Sequence, residues 1–423
     1  MIGEKAKQAL SVGLLVCLGL GAGAVLADDY TAGFYTRGSE AAFYLDTGDP
    51  YFAPFYVPVR RLAAIPRVTI SASREDNLFM DANRGTDSTI IDIVPGITLI
   101  WGRPEGRHVY VDYGSIIRVY DSSDRLERKP SHLLAFGGVL RTARSQASGR
   151  IGYRRIENAD TVTGARVVKQ DYILNLALDR RVSVKTAIGL LANLERHDFD
   201  ALQYVDYDRY YGGVRLYYDA TPRSQVFLQG GVGHDDLDSG PGGYGDADFY
   251  DLAIGMRGKP SPKTSVSGRA GYLWRTYQND SIRDVDHWIA AIQGDVTPFG
   301  FTTFWAGVNA DIRPAITAAG SATIDQRLTA GLRRRMISDN LLGQGSVFVG
   351  RIDYRGPDVL LDRRRDDYWG YSLGLDWWTR HNLSCGAAYS YIENRAFRGA
   401  DATLQRDNAY EAGRWTLRMS WNY

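Results

Sequence analysis

The chain has 423 residues, with 50 basic and 49 acidic side chains; 12% of its residues are aromatic, and tyrosine alone accounts for 27. Apolar residues are too few for a helical membrane protein, because no segment beyond the amino terminus approaches the roughly 18 uninterrupted apolar residues of a spanning helix. A β-barrel escapes that requirement, since only alternate residues of each strand face lipid.

Residues 1–27 carry Lys5 and Lys7, then an apolar run from Leu10 to Leu26, with Val25-Leu26-Ala27 just ahead of Asp28-Asp29. This order of charge, apolar run and small residue is that of a cleavable secretory signal, so the mature chain is expected to begin near Asp28. Cys17 belongs to the apolar run and lacks the preceding small residues of a lipoprotein site. Cys385 is then the single cysteine of the exported chain. Stability must come from strand pairing and packing rather than from disulfides.

In residues 28–65, Gly33, Gly38, Gly48, Pro50, Pro54 and Pro58 interrupt Phe34, Tyr35, Phe43, Tyr44, Tyr51, Phe52, Phe55 and Tyr56. Prolines at this density preclude a regular ladder strand. An ordered but irregular amino-terminal arm is expected, periplasmic or tucked into a barrel mouth, because a disordered tail rarely carries so many aromatics.

Residues 66–423 read as one domain of consecutive amphipathic strands, with no Ser/Pro-rich linker or charge block to divide them. Candidate strands run from 66–76 and 88–102 to 383–394 and 411–423, about eighteen in all, with sixteen as the alternative count. Short turns such as Arg103-Pro104-Glu105-Gly106, Asp219-Ala220-Thr221-Pro222, Lys259-Pro260-Ser261-Pro262, Pro298-Phe299-Gly300 and Arg380-His381-Asn382 alternate with long polar connections, for example 235–246, 312–323, 356–366 and 395–410. Tight turns on one rim and loops on the other describe a meander in a membrane. The expected fold is all-β: a transmembrane antiparallel up-and-down β-barrel, with an even strand number because both chain ends lie on the short-turn side.

The last ten residues alternate strictly, with Trp415, Leu417, Met419, Trp421 and Tyr423 on one face and Arg414, Thr416, Arg418, Ser420 and Asn422 on the other. Aromatics at the ends of an outward face suit a bilayer interface. A free aromatic carboxy terminus on such a strand resembles the signal by which outer-membrane barrels are recognised and assembled, which assigns Trp421 and Tyr423 to that role and implies the barrel-assembly machinery as a partner.

The register separates two environments. Apolar outward sets include Ile91, Ile93, Ile97, Leu99 and Trp101 on one strand and Trp369, Tyr371, Leu373, Leu375 and Trp377 on another. The opposite phase gives the candidate lumen lining: Asp92, Asp112, Arg118, Arg215, Asp251, Arg257, Arg269, Arg275, Asp295, Asp311, Arg313, Arg327, Arg351, Asp353, Asp376, Arg414 and Arg418. So many ionisable groups on one face require water or mutual pairing, since an isolated charge out of water is very costly. The basic members are nearly all Arg, whose planar fork suits both a wall braced by Arg–Asp pairs and a channel that attracts anions.

Enzymatic chemistry finds little footing. His108, His132, His197, His234, His287 and His381 are scattered singly along the chain, and each reads as a solvated or interfacial side chain. Asp235, Asp236, Asp238, Asp246 and Asp248 around Gly240-Pro241-Gly242-Gly243 match no calcium-loop spacing and read as a solvated acidic loop. The triplets Arg333-Arg334-Arg335 and Arg363-Arg364-Arg365 suit lipid head groups, saccharide anions or local pairing better than nucleic acid. No cofactor or metal motif is present in the sequence.

The run Arg74-Glu75-Asp76-Asn77-Leu78-Phe79, then Asp87 to Ile93 leading into Val94-Pro95-Gly96-Ile97, then Tyr172 through Lys185-Thr186, and Gly213 to Tyr218 followed by Thr221-Pro222, resembles the putative beta-barrel porin 2 family. The resemblance covers most of the span from Pro66 to Tyr423. It implies an outer-membrane barrel that serves as an exopolysaccharide export channel, and it transfers no catalytic residue.

The reading is an outer-membrane, porin-like passive channel of a diderm bacterium, exported through a cleaved signal. Its partners are outer-membrane lipids, lipopolysaccharide, and small solutes or a polysaccharide. The alternative is a non-conducting structural or surface-interaction barrel that acts through its long extracellular loops.

Overall fold

The computed structural model describes residues 62–77, 87–102, 107–121, 130–160, 165–200, 204–238, 246–279, 282–314, 322–336, 340–355, 364–379, 383–397 and 409–422. They form β1 (Leu62–Glu75), β2 (Ser88–Gly102), β3 (His108–Tyr120), β4 (Ser131–Arg141), β5 (Ser145–Asp160), β6 (Ala165–Arg181), β7 (Thr186–Phe199), β8 (Asp206–Thr221) and β9 (Ser224–Asp238). The second half adds β10 (Ala247–Ser261), β11 (Thr264–Tyr277), β12 (Val285–Phe299), β13 (Thr302–Pro314), β14 (Ala322–Arg335), β15 (Leu341–Arg355), β16 (Arg365–Trp378), β17 (Leu383–Phe397) and β18 (Tyr410–Asn422). Each strand pairs antiparallel with its chain neighbours, and β1 pairs with β18, so the 18-stranded sheet closes on itself. The expected signal segment and nearly all of the expected arm, with Tyr423, lie outside the described residues.

Side-chain alternation produces the two faces. On β2, Ile91, Ile93, Ile97, Leu99 and Trp101 are exposed, while Asp92 and Thr98 between them are fully buried. On β18, Trp415, Leu417, Met419 and Trp421 are exposed, while Arg414 and Thr416 are buried. An apolar band of this extent, carried by every second residue, has a hydrocarbon surround as its natural solvent. No helix among the described residues is long and apolar enough to cross a membrane, which has no bearing on a strand-built wall.

The short connections all fall on one rim. At the β4–β5 turn the Thr142 N–H donates to the Ser145 carbonyl at 2.7 Å. Gly102, at the end of β2, has φ +118°, a backbone that an L side chain rarely adopts. On the opposite rim Asp121 accepts from the Thr89 N–H at 2.8 Å and the Ser88 hydroxyl at 3.1 Å. Those bonds, led by Thr89, hold its carboxyl below the usual carboxylate range.

Several strand limits differ from expectation, and those of β1 and β9 change the reading of named residues. β1 begins at Leu62 rather than near Pro66, and Pro66 lies inside it opposite Ile97. The described β1–β18 ladder runs from Arg67–Asn422 to Glu75–Arg414. β9 also runs on to Asp238, so Asp235 belongs to the wall and not to an acidic loop.

The wall departs from a plain cylinder at one seam. β12 stays paired with β11 up to Val285, but its ladder with β13 stops at Ala290–Ala310. Beyond that point β13 and β14 remain paired with each other through Ile312–Ile324 to Pro314–Ala322. This tip lies on the lumen side of the wall. Ile312, Ala322 and Ile324 continue the phase of the exposed Phe304 and Leu332, yet they form one buried cluster with the inward Phe249, Leu273, Val285 and Ile289. Arg209 Nη2 on β8 donates to the Ile312 carbonyl at 3.3 Å, and Gln326 is 2.8 Å from His287 on β12. A second layer therefore lines the barrel under the long-loop rim.

Candidate functional site

The inner face is a lattice of ionic and amide side chains. Asp92, Asp112, Arg118, Arg215, Asp251, Arg257, Arg269, Arg275, Asp295, Arg327, Asp376, Arg414 and Arg418 all take the inner phase of their strands. Most meet a partner there. Arg118 donates to both oxygens of Asp92, at 2.8 and 3.3 Å. Arg67, Thr98 and Asp112 form a triangle across β1, β2 and β3, with bonds of 2.6, 2.7 and 2.5 Å. Arg418 pairs with Asp376, and Arg275 with Asp235. Ser265 donates to Asp295 at 2.7 Å, and Arg414 donates to Ser73 at 2.8 Å. Buried carboxylates demand such partners, because an unpaired one would cost several kcal/mol.

Asp311 and Arg313 sit on the inserted tip, 3.3 Å from each other. Arg351 and Asp353 are a correction. On β15 they share the phase of the exposed Val347 and Val349 rather than the inner phase, and they stand opposite Gln326 and Ile324, the β14 residues that turn in with the tip; Arg351 pairs with Asp367 at 2.9 Å. The inner phase of that stretch is apolar instead, with Phe348, Ile352, Tyr354 and Tyr368 packed together. Polarity therefore inverts near the long-loop rim of β15.

Three functional groupings escaped the sequence. Arg67 shares a phase with Thr69, Ser71 and Ser73, a polar run that does mark an inner face. Arg209 closes on Asp235 from the side opposite Arg275, with its Nε at 2.7 Å. His197 is buried, with Nδ1 2.5 Å from Asp171 and Nε2 3.1 Å from Glu195, while Arg154 also pairs with Asp171. It is not a solvated histidine. Both of its nitrogens are engaged, so it braces β6 and β7 and offers no free base to a substrate.

Aromatic rings lie flat on this wall over glycines of neighbouring strands. A Cβ on Gly231 would fall 2.2 Å from Tyr211, on Gly233 2.1 Å from Phe249, on Gly255 2.2 Å from Phe227, and on Gly350 2.2 Å from Tyr368. Guanidinium groups cover two of these rings, Arg215 over Phe227 at 5.0 Å and Arg209 over Phe249 at 5.0 Å, and Arg327 covers the ring of Phe348 at 4.7 Å. The cation–π contact orders the Arg, and the glycine lets the ring lie close to the backbone. Elsewhere the inner face is wet, since Arg150 and Asn175 take the inner phase of β5 and β6 and are exposed.

A closed antiparallel barrel with an apolar outer band and a charged inner face defines the class of outer-membrane porin-type barrels, set in membrane lipid. A family model described as putative beta-barrel porin 2 matches residues 63–406. The chain belongs to that family. No curated protein matches it. Among solved structures it is similar to Pseudomonas aeruginosa OpdK with vanillate, at 12% identity over 85% of this chain and 99% of that one, with a TM-score of 0.45. It is similar also to Pseudomonas aeruginosa OpdQ, at 12% identity over 86% and 97%, TM-score 0.46. A bacterial polysaccharide outer membrane secretin matches at 10% identity over 85% and 98%, TM-score 0.36.

Proposed function

We propose that the barrel is a passive outer-membrane channel whose polar lumen passes small solutes or an exported exopolysaccharide. The observation that carries this reading is the solvent exposure of Arg150 and Asn175 on the inner phase, together with an Asn193–Asn175 amide contact of 2.7 Å that is itself exposed. Charged and amide groups that reach solvent from inside a closed wall face an aqueous interior, which a packed core would not leave open. The exopolysaccharide is the expectation attached to the family resemblance.

A second reading, a non-conducting barrel that works through its long loops, draws support from the extent of Arg–Asp pairing and from the inserted tip of β13 and β14. Conductance of the purified chain in planar bilayers separates the two. Ion current, with partial block by added saccharide, supports the channel; absence of current at every salt concentration sinks it. On this reading residues 1–27 are a cleaved signal, the aromatic segment after them is an irregular arm that is periplasmic or tucked into the barrel mouth, and the short-turn rim faces the periplasm.

A further inference from the structure

We propose that Arg215 and Arg269 form a carboxylate-binding subsite on the inner wall of β8–β11, where a carboxylate-bearing solute pauses on its way through the lumen; this rests on the channel reading above. Arg215, Gln229, Asp251 and Arg269 make a row across four consecutive strands. Arg215 Nε donates to Gln229 Oε1 at 2.7 Å, and Gln229 Nε2 donates to the Tyr211 hydroxyl at 2.7 Å and to Asp251 Oδ2 at 3.2 Å. The buried amide is thereby fully used. Arg269 Nη1 stands 3.7 Å from Asp251 Oδ2, close enough for attraction and too far for a hydrogen bond.

Donors are consequently left over. Arg118 spends its fork on Asp92 and Arg209 spends its own on Asp235. Among the described residues, the terminal nitrogens of Arg215 and the whole fork of Arg269 donate to no protein group. Arg269 is 33% exposed, so its fork meets the lumen. Two guanidinium groups flank one carboxylate, and the row carries one uncompensated positive charge, because neighbouring Arg257 is balanced by Asp179. A single-charged anion neutralises it. A dianion such as phosphate would add a surplus negative charge beside Asp251.

Geometry favours a planar anion as well. Arg215 lies over the Phe227 ring, and that ring is pinned over Gly255. The guanidinium plane is fixed before any ligand arrives, which lowers the ordering cost of a two-pronged contact with a carboxylate. Free organic acids and the uronate units of an acidic polysaccharide present the same group.

The test uses the purified full chain in planar bilayers, with sodium glucuronate, a glucuronate oligomer, glucose and inorganic phosphate added in separate runs. Glucuronate reduces the current, glucose does not, and changing Arg215→Gln and Arg269→Gln together raises the half-blocking concentration about tenfold, the equivalent of about 1.4 kcal/mol. Tighter and longer block by the oligomer identifies polymer units as the ligand, whereas equal block per carboxylate identifies free acids. Unchanged block in the double variant, equal block by glucose, or equal block by phosphate each overturns the assignment. Calorimetric titration of glucuronate into the detergent-solubilised protein supplies a readout independent of conduction. Binding without current keeps the subsite and sinks the channel, while no binding sinks the subsite itself. Heat-modifiable gel mobility confirms that the double variant is folded, and the charge-preserving pair Arg215→Lys and Arg269→Lys replaces it should it fail to fold.

Discussion

Arg257 on β10 donates its Nη2 to Asp179 on β6 at 3.1 Å, with β7, β8 and β9 between them. On the way the guanidinium lies 4.3 Å from the Tyr217 ring centre, and its Nε donates to Gln225 at 2.8 Å. One side chain thus ties strands that share no ladder. Backbone pairing resists separation of neighbours, whereas this contact resists distortion of the wall over a wider arc.

Because Arg257 is 42% exposed, solvent screens the pair and its worth is about 1 kcal/mol at most. Arg257→Gln and Asp179→Asn should each lower the unfolding temperature slightly, and the double variant should lose less than the sum. Thermal unfolding of the four proteins in one detergent gives the coupling directly. Strict additivity would show that the contact holds nothing together.

Gly255 offers a sharper test of the ring-on-glycine joints. An added Cβ would lie 2.2 Å from Phe227 and 2.5 Å from the Gly268 carbonyl, so Gly255→Ala must displace both the ring and the backbone of β11. Overpacking of this kind costs about 1 to 3 kcal/mol. Gly212, with nothing within 4 Å of its Cβ position, should accept Ala without loss. If the two variants melt alike, the rings are not seated as described.

The contrast between these glycines also marks the limit of what the sequence discloses. Strand number, closure and the two faces are legible because each follows from local alternation and turn chemistry, as in Trp415 to Trp421. The phase of β15 is not, since Phe348 and Ile352 form an apolar set opposite Val347 and Val349, and both sets satisfy the same pattern. The Gly255–Phe227 joint depends on the β9–β10 register, where the two residues face each other, and no spacing along the chain encodes it. Asp235 falls just past the predicted strand because the acidic run Asp235, Asp236 and Asp238 has the composition of a loop, whereas the ladder with β8 carries β9 on to Asp238.

The carboxy-terminal strand bears on assembly. Trp421 is exposed on the outer face and pairs with Val68 on one side and Leu383 on the other, at the seam where the sheet closes. Replacing Trp421 and Tyr423 together with Asp should abolish heat-modifiable mobility on gels and leave the chain outside the membrane fraction, because carboxylates on the lipid face oppose insertion and the proposed recognition signal is lost. Normal insertion of that variant would remove the assembly role from both residues.

The inserted tip of β13 and β14 should limit flow through the lumen. Its apolar anchors Ile312 and Ile324 are both essentially inaccessible, and changing each to Ala removes packing of about 2 to 5 kcal/mol per site. The tip lies beyond the last β12–β13 pair at Ala290–Ala310, so the loss should appear as local detachment, with the wall below unaffected. Amide exchange in 311–314 and 322–326 should rise while exchange in β6 and β18 stays slow. Single-channel conductance of Ile312→Ala with Ile324→Ala should increase over wild type in the same bilayer and salt, since a layer that covers the inner wall of β8–β12 narrows the aqueous path. Faster exchange at the tip with unchanged conductance would mean that the narrowest point lies elsewhere, and the Arg257–Asp179 level would become the next position to open.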